Sequence, residues 1–324
     1  MYTELTDRLS EASLTKWQAL LRLSGLEAEQ PPHRVVLVWD DNRLIATGSR
    51  EDNLLKYIAV HPDRQGEDLT STVLSALRQD AFQNGHSHLF LYTKPQNERM
   101  FTSLFFYPIA KTDKVLLMEN KQGGITDFLA TLPVSNEGEK IGSIVMNGNP
   151  FTKGHQYLVE TAAKECDFVY LFILSEDKSE FSAKDRLEMA KLGTKHLKNV
   201  AVLPTGPYLI SSATFPTYFL KDREKATQVQ CLLDIKIFAE YFIPKFSITH
   251  RYVGTEPFSP MTKAYNQTLK EHLPIVLREI PRLEKSGVAI SASAVRKTKD
   301  NDTLRALLPE STLSYLIFRR RIKL

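Results

Sequence analysis

Apolar and polar positions along the chain repeat with two different periods, and the changes between them mark out the elements. Leu9, Trp17, Leu20, Leu21 and Leu23 recur at roughly helical spacing, so residues 1–30 read as helix up to a stop at Pro31-Pro32. Residues 35–39 and 44–47 flank Asp40-Asp41-Asn42 and read as a β-hairpin. Residues 54–60 form a strand and 61–66 a turn. Residues 68–84 form an amphipathic helix carrying Leu69, Val73, Leu74 and Leu77. A strand over 89–93, a short helix over 97–104 and a strand over 115–118 complete an α+β segment. Gly123-Gly124, Pro133 and a polar end make 120–140 a linker with a short helix over 126–132.

From residue 141 the pattern becomes strand, helix, strand, helix. Strands are expected over 141–146, 168–174, 200–203, 247–253 and 275–280. Helices are expected over 182–192, 216–230 and 263–272, and one or two more over 302–324. That alternation is what a doubly wound parallel sheet of Rossmann-like type requires. The expected division is therefore 1–119, a linker over 120–140, and 141–324.

Composition narrows the setting. Apolar residues make up 42% and charged residues 25%, as in an ordinary soluble globular chain. A net charge of +4 allows a modest preference for anionic ligands and argues for neither nucleic acid nor a membrane surface. The two cysteines, Cys166 and Cys231, build no disulfide framework or metal site, which suits a reducing cytoplasm. The opening MYTELTDRLSEA is acidic and polar, unlike a signal peptide, and no apolar run reaches the length of a membrane span.

The stretch with candidate chemistry is 141–159. The strand Ile141, Ile144, Val145, Met146 runs into the turn-formers Asn147-Gly148-Asn149-Pro150. Thr152-Lys153-Gly154-His155 and a helix follow. A tight loop between strand and helix directs backbone N–H groups and a helix N-terminus at whatever lies above the strand, which favours a phosphate. Thr152 and His155 lie three apart, on one side of the first turn. Lys153 is expected to point away into solvent. A second candidate is Ile290-Ser291-Ala292-Ser293-Ala294-Val295-Arg296, small hydroxyl residues opening a helix with a cation one turn in. No Walker-A loop, G-x-S-x-G elbow or H-E-x-x-H appears in the sequence, which argues against a P-loop kinase, a serine hydrolase or a zincin.

The first loop resembles the T/H-x-G-H signature of the nucleotidyltransferase superfamily, and ISASAVR resembles its I-S-S/A-T/S-x-x-R element. The longer string MNGNPFTKGHQYLVE is similar to that of the citrate lyase ligase family. The order of elements over 1–119, with IAVHPDRQGEDLTSTVL at its middle, resembles the GNAT acetyltransferase fold, which that family also carries at its N-terminus. Arg64, Gln65 and Gly66 fit the GNAT pyrophosphate loop, but Asp68 and Thr70 stand where glycines are usual. A carboxylate there repels a pyrophosphate, so a GNAT-like fold without acetyl transfer is expected. The alternative is that the domain grips a coenzyme-A-like group or its carrier protein.

The resemblance implies a Rossmann-like adenylate-forming domain that uses ATP, with Mg²⁺ bridging the phosphates on mostly water ligands. It implies His155 and Thr152 as donors to the α- and β-phosphates. Asn147, Asn149, Gly154, Ser291, Ser293 and Arg296 then complete the nucleotide site. Arg186, from the pair Asp185-Arg186, is implied as a phosphate contact, with a plain helix ion pair as the alternative. Gly254-Thr255-Glu256 and Tyr265-Asn266 are implied in adenosine or ribose recognition. The implied reaction is activation of acetate as acetyl-AMP, followed by acetylation of the thiol of a coenzyme-A-like prosthetic group on the acyl carrier subunit of citrate lyase. A plain adenylyltransferase acting on a phosphopantetheine or nicotinate mononucleotide is the second reading, and a non-catalytic nucleotide-sensing or carrier-binding scaffold the third. TFPTYFLKD (214–222) also looks family-like. Arg319-Arg320-Arg321 with Lys323 is either a dock for an acidic carrier or a solvated helix end.

Overall fold

The computed structural model describes residues 1–27, 33–135, 138–176, 179–209, 223–255, 260–285 and 288–319. The expectations for Pro31-Pro32, for 214–222 and the start of the 216–230 helix, for Glu256 and for 320–324 lie outside those residues. Two compact units form. One is built on Met1–Gly124, and residues up to Leu233 of a later helix cluster with it. The other takes the chain from Ile125, and again Asp234–Leu324.

In the first unit the strands are β1 (Tyr2–Thr6), β2 (Arg34–Asp40), β3 (Arg43–Glu51), β4 (Leu54–Val60), β5 (Phe90–Thr93), β6 (Tyr107–Lys111) and β7 (Leu116–Glu119). The helices are α1 (Glu11–Leu23), α2 (Leu69–Gln83) and α3 (Glu98–Ser103). The sheet runs β1-β2-β3-β4-β5-β7-β6. Two expectations need correction. Residues 2–6 are a strand, not helix, because the edge of β2 is there to pair them, Tyr2 against Trp39 through Thr6 against Val35. Trp39 also donates its indole N–H to Glu4 at 3.0 Å. The helix starts only after Ser10, whose side chain caps Ser13 N–H. Strand β6 was not foreseen, since Tyr107-Pro108-Ile109 lacks strict alternation. Its place at the sheet edge tolerates the proline.

Helix α2 packs Val73, Leu74 and Leu77 on Val36, Val38 and Ile45 of one sheet face. On the other face α1 packs Trp17, Leu20 and Leu21 against Val35, Leu37 and Tyr57. Asp80 of α2, buried, takes hydrogen bonds from Arg34 and Arg50. Strands β4 and β5 are parallel and meet only at Leu54–Phe90 and Leu55–Leu91. Beyond that pairing lies a cleft of about 520 Å³ lined by Ile58, Val60, Tyr92 and Phe101 and by the turn Arg64–Ser71. In that turn Arg64 is committed to Asp40 at 2.7 Å and to Glu67 at 2.8 Å, and Asp68 sits in the left-handed region at φ +54°.

The second unit opens with α4 (Gly124–Ala130) and contains β8 (Ile141–Met146), α5 (Lys153–Glu165), β9 (Phe168–Ile173), α6 (Ala183–Thr194) and β10 (Val200–Pro204). Along the chain next come α7 (Arg223–Ile237), which belongs to this unit only from Asp234 onward, a π-helical turn Phe238–Phe242, α8 (Ile243–Phe246), β11 (His250–Gly254), α9 (Pro260–His272) and β12 (Val276–Ile280). A small hairpin, β13 (Glu284–Lys285) with β14 (Val288–Ala289), leads to α10 (Ala292–Lys297), α11 (Asn301–Leu307) and α12 (Glu310–Phe318). The sheet order is β10-β9-β8-β11-β12 and every pair is parallel, the doubly wound arrangement expected.

One face of the sheet packs Ile144, Val169, Leu171 and Tyr252 against Val159 of α5, Met189 of α6 and Leu313 of α12. The other face sets Tyr170 and Phe172 against Phe238, Phe242 and Phe246, with the Arg251 guanidinium 4.4 Å from the Phe238 ring. No helix of the described residues is long and apolar enough to cross a membrane.

Strand order reverses between β8 and β11, and these two pair only at Gly142–His250 and Ser143–Arg251. Their C-terminal halves are not paired with each other. That opens a crevice at the switch point, where open α/β sheets bind ligands.

Candidate functional site

The loop after β8 stands at that crevice. Gly148 takes φ +61°, a conformation glycine adopts without strain. Asn147 is gripped from behind by Arg186 of α6, whose side chain is 0% exposed. The Arg186 Nη1 donates to Asn147 O at 3.0 Å, Asn147 Oδ1 at 2.6 Å and Leu174 O at 2.7 Å. Its Nε donates to Phe181 O at 3.0 Å, and its Nη2 to Glu176 O. Asn147 in turn donates to Ser179 Oγ at 3.0 Å. Asn149, almost buried, accepts from Phe181 N–H at 3.1 Å. The loop is thus tied to the segment between β9 and α6 at both asparagines.

Helix α5 begins with a capping box in which histidine takes the place usual for Glu or Gln. Thr152 N–H donates to His155 Nδ1 at 3.0 Å, and His155 N–H donates to Thr152 Oγ1 at 3.4 Å. The Thr152 hydroxyl also lies 3.1 Å from His155 Nδ1 and is 1% exposed. With Nδ1 accepting, the neutral ring carries its proton on Nε2, a tautomer assigned from this hydrogen bond. Burial, and then the positive charge of Arg282, push the His155 pKa down to about 4 against a smaller opposing pull from the Pro150 backbone. The first two effects outweigh the third and favour the neutral imidazole.

The second motif folds as expected and meets the first. Ser291 is the N-cap of α10, its Oγ accepting from Ala294 N–H at 3.2 Å. Arg296 donates through Nη1 to Asn149 O, across 147 residues of sequence, and through Nη2 to Ser293 Oγ at 3.1 Å. It also lies 3.8 Å from the Glu180 carboxylate. Gly154 marks where the motifs press together. A Cβ there would come within 3.1 Å of the Ile290 carbonyl oxygen. His155, Thr152, Asn147, Asn149, Gly154, Ser291, Ser293 and Arg296 thus belong to one connected set of residues.

The other candidates are placed differently. Gly254 ends β11 opposite Ile280. Asn266 donates to its carbonyl at 3.1 Å, and Tyr265 donates to Asp234 at 2.7 Å. Both side chains thereby tie α9 to its surroundings. Lys153, expected in solvent, bonds Arg305 O at 2.8 Å. Arg319 lies 3.3 Å from Asp185, which also accepts from Tyr315 at 2.8 Å.

One cation near the site was not foreseen. Arg282 follows β12, with N–H and Nε on Thr255 Oγ1 and O at 3.3 and 2.7 Å. The only sequence signal was a basic residue just past a strand end and shortly before the second motif. Among the described residues no group of three or more His, Cys, Asp or Glu side chains is arranged to hold a metal.

A parallel sheet with its switch-point crevice, a His-capped helix N-terminus and a Ser-capped second helix define a nucleotidyltransferase-type domain, here preceded by a GNAT-type one. Residues 141–316 match the family model described as the citrate lyase ligase C-terminal domain, and residues 1–107 that of the acetyltransferase (GNAT) family. A [citrate [pro-3S]-lyase] ligase of Klebsiella pneumoniae is 40% identical over 309 residues, covering 92% of this chain and 90% of that protein. Its counterpart in Escherichia coli K12 is 38% identical over 294 residues, covering 87% and 84%. That of Haemophilus influenzae is 35% identical over 325 residues, covering 94% and 96%. The chain belongs to the citrate lyase ligase family, and it is an enzyme of the ligase class.

Proposed function

We propose that the second unit uses ATP to activate acetate as acetyl-AMP, releasing pyrophosphate. The acetyl group then passes to the thiol of the prosthetic group on the acyl carrier subunit of citrate lyase, in the cytoplasm, and AMP leaves. In the first half a carboxylate oxygen forms a bond to the α-phosphorus while the bond to the β-phosphate oxygen breaks. The electron pair departs with pyrophosphate, and no proton need move. Charge grows on the α-phosphate and on the leaving group, so the chain must supply fixed donors rather than a base.

The observation that carries this reading is the meeting of the two motifs at one crevice, through Arg296 on Asn149 and Ile290 on Gly154. His155 gives its Nε2–H to the α-phosphate. The Thr152 hydroxyl is taken up by the cap, so we assign Thr152 to positioning the imidazole. Ser293, Arg296 and the N-terminus of α10 receive the departing pyrophosphate. Arg186 and Asn147 hold the loop in shape. Mg²⁺ brought in with ATP would lower the charge that these residues must meet. The first unit contributes no step to this reading.

The test is exchange of labelled pyrophosphate into ATP with Mg²⁺. Acetate-dependent exchange is expected, and its loss in His155→Ala by about 10²–10³-fold, the usual cost of one preorganised donor. AMP release with a deacetylated acyl carrier subunit completes the reading. Formation of a dinucleotide from phosphopantetheine or nicotinate mononucleotide, without acetate-dependent exchange, would replace it.

A further inference from the structure

An in-line displacement sets the attacking oxygen and the leaving oxygen on opposite sides of the α-phosphorus. In the reading above the leaving pyrophosphate is received by the second motif, whose Ile290 abuts Gly154 of α5. The acid must then arrive from the other side of the phosphate. It needs a donor of its own to hold its carboxylate there against like charge.

Arg251 of β11 has N–H groups to give. Its side chain is 3% exposed, and among the described residues its Nε and Nη1 have no hydrogen-bond partner. The guanidinium lies 4.4 Å from the centroid of the Phe238 ring, a contact that meets part of its charge but offers no acceptor oxygen. Burial pushes the Arg251 pKa down, and Tyr265 and Asp234 act against that through their charge. Asp234 itself accepts from the Tyr265 hydroxyl at 2.7 Å. A buried guanidinium with unmet N–H groups is costly, and an anion brought from outside the chain completes it.

Its place in the sheet is at the fork. Strands β8 and β11 pair at Gly142–His250 and Ser143–Arg251 and no further. Arg251 is thus the last residue of β11 held against β8 before the crevice opens. Neighbouring residues of a strand face opposite sides. Tyr252 packs with Val159 and Met189 in the core beneath α5 and α6. Arg251 takes the other face, over Phe238, which meets Phe172 at 6.4 Å between ring centroids. Phe172 pairs with Val145, two residues past Ser143 in the direction of the crevice. The guanidinium therefore sits at the floor of the crevice, on the face away from α5, whose N-terminus carries the first motif. An aromatic ring beside a planar fork of N–H groups suits a small acid with an apolar end.

We infer that Arg251 binds the carboxylate of the acid substrate and presents it to the α-phosphate from the side opposite the second motif. This rests on the adenylate-forming reading above, and makes Arg251 a substrate-binding residue for the acid rather than for the nucleotide.

Full-length Arg251→Gln and Arg251→Met proteins test it. Thermal melts are recorded with and without acetate at constant ionic strength, beside the Kd of Mg·ATP and the acetate KM in pyrophosphate exchange. The expected acetate KM in both variants is raised by about 10–100-fold, the range of one or two charge-assisted hydrogen bonds, with the ATP Kd within about twofold of the parent. Arg251→Met removes a buried charge, so its melt without acetate should match or exceed that of the parent. Acetate should raise the melt of the parent and leave those of both variants unchanged. An unchanged acetate KM in either variant overturns the assignment. So does an ATP Kd weakened as much as the acetate KM, which would make Arg251 a phosphate ligand. Melts lowered in both variants, with no effect of acetate on the parent, overturn it as well and leave Arg251 a purely structural cation. If the parent binds ATP yet shows no acetate-dependent exchange, the adenylate reading itself fails and this assignment falls with it.

Discussion

Replacing Arg186 by lysine separates two roles that a buried cation near a phosphate site can play. The guanidinium is fully buried and donates to the carbonyls of Phe181, Asn147, Leu174 and Glu176 and to the Asn147 side chain. A lysine ammonium has three donors on one point and cannot span that set. At least two acceptors lose their partner, at about 1–3 kcal/mol each, so the expected loss of stability is roughly 2–6 kcal/mol. For a unit of this size that corresponds to a melting temperature lower by roughly 4–24 °C. The assay is a thermal melt of Arg186→Lys beside an ATP titration. The reasoning requires the melt to drop and ATP binding to weaken along with it, because the Asn147 loop loses its anchor. A variant that melts like the parent but has lost ATP affinity alone would refute it, since that is the behaviour of a phosphate ligand.

Gly154→Ala should separate stability from activity. Alanine favours a helix over glycine by up to about 1 kcal/mol, so the melt should hold or rise slightly. The new Cβ, 3.1 Å from Ile290 O, must push the second motif away by a few tenths of an ångström, and exchange should fall at least about tenfold. Full activity would show that the motifs are not pressed together. His155 should titrate near 4 in an NMR experiment, well below its ordinary 6.5, because burial and then Arg282 oppose its protonation. Between those values the unfolded chain takes up the proton and the folded chain does not. His155 therefore supports stability fully above pH 6.5, and that support declines as pH falls toward 4. A midpoint at 6.5, or a pH dependence of the melt unaltered in His155→Gln, would contradict this.

The elements easiest to read in advance were those whose signal is local. The run Phe168–Ile173, continuous and apolar, forms a buried strand because both faces of the parallel sheet are covered. The helix over α2 declared itself by Leu69, Val73, Leu74 and Leu77 on one face. Strand β1 was misread because its five residues carry little pattern of their own. What makes them a strand is the open edge of β2, some thirty residues later in the chain.

The site divides along the same line. Strand, glycine-bearing turn and Thr-x-x-His are adjacent in sequence, and the backbone geometry of a helix start makes their neighbourhood unavoidable. Residue type and spacing were therefore enough to mark a phosphate-binding loop at Asn147–His155 and a Ser-capped helix at Ser291. They could not say how each donor is spent. A hydrogen-bonding group is available to a ligand only if no part of the protein has already claimed it, and the claimants are distant. Thr152 and His155 share a cap, and Arg186 is consumed by carbonyls from the loops after β8 and β9 and from Phe181. Arg296 reaches Asn149 only because the sheet closes the distance. Arg282, unremarkable in the sequence, reaches Thr255 because β11 and β12 end side by side. The chemistry the chain can offer was written in its residues. Which of those residues still has a hand free was decided by long-range packing, since burial and competing acceptors exist only once the sheet has formed.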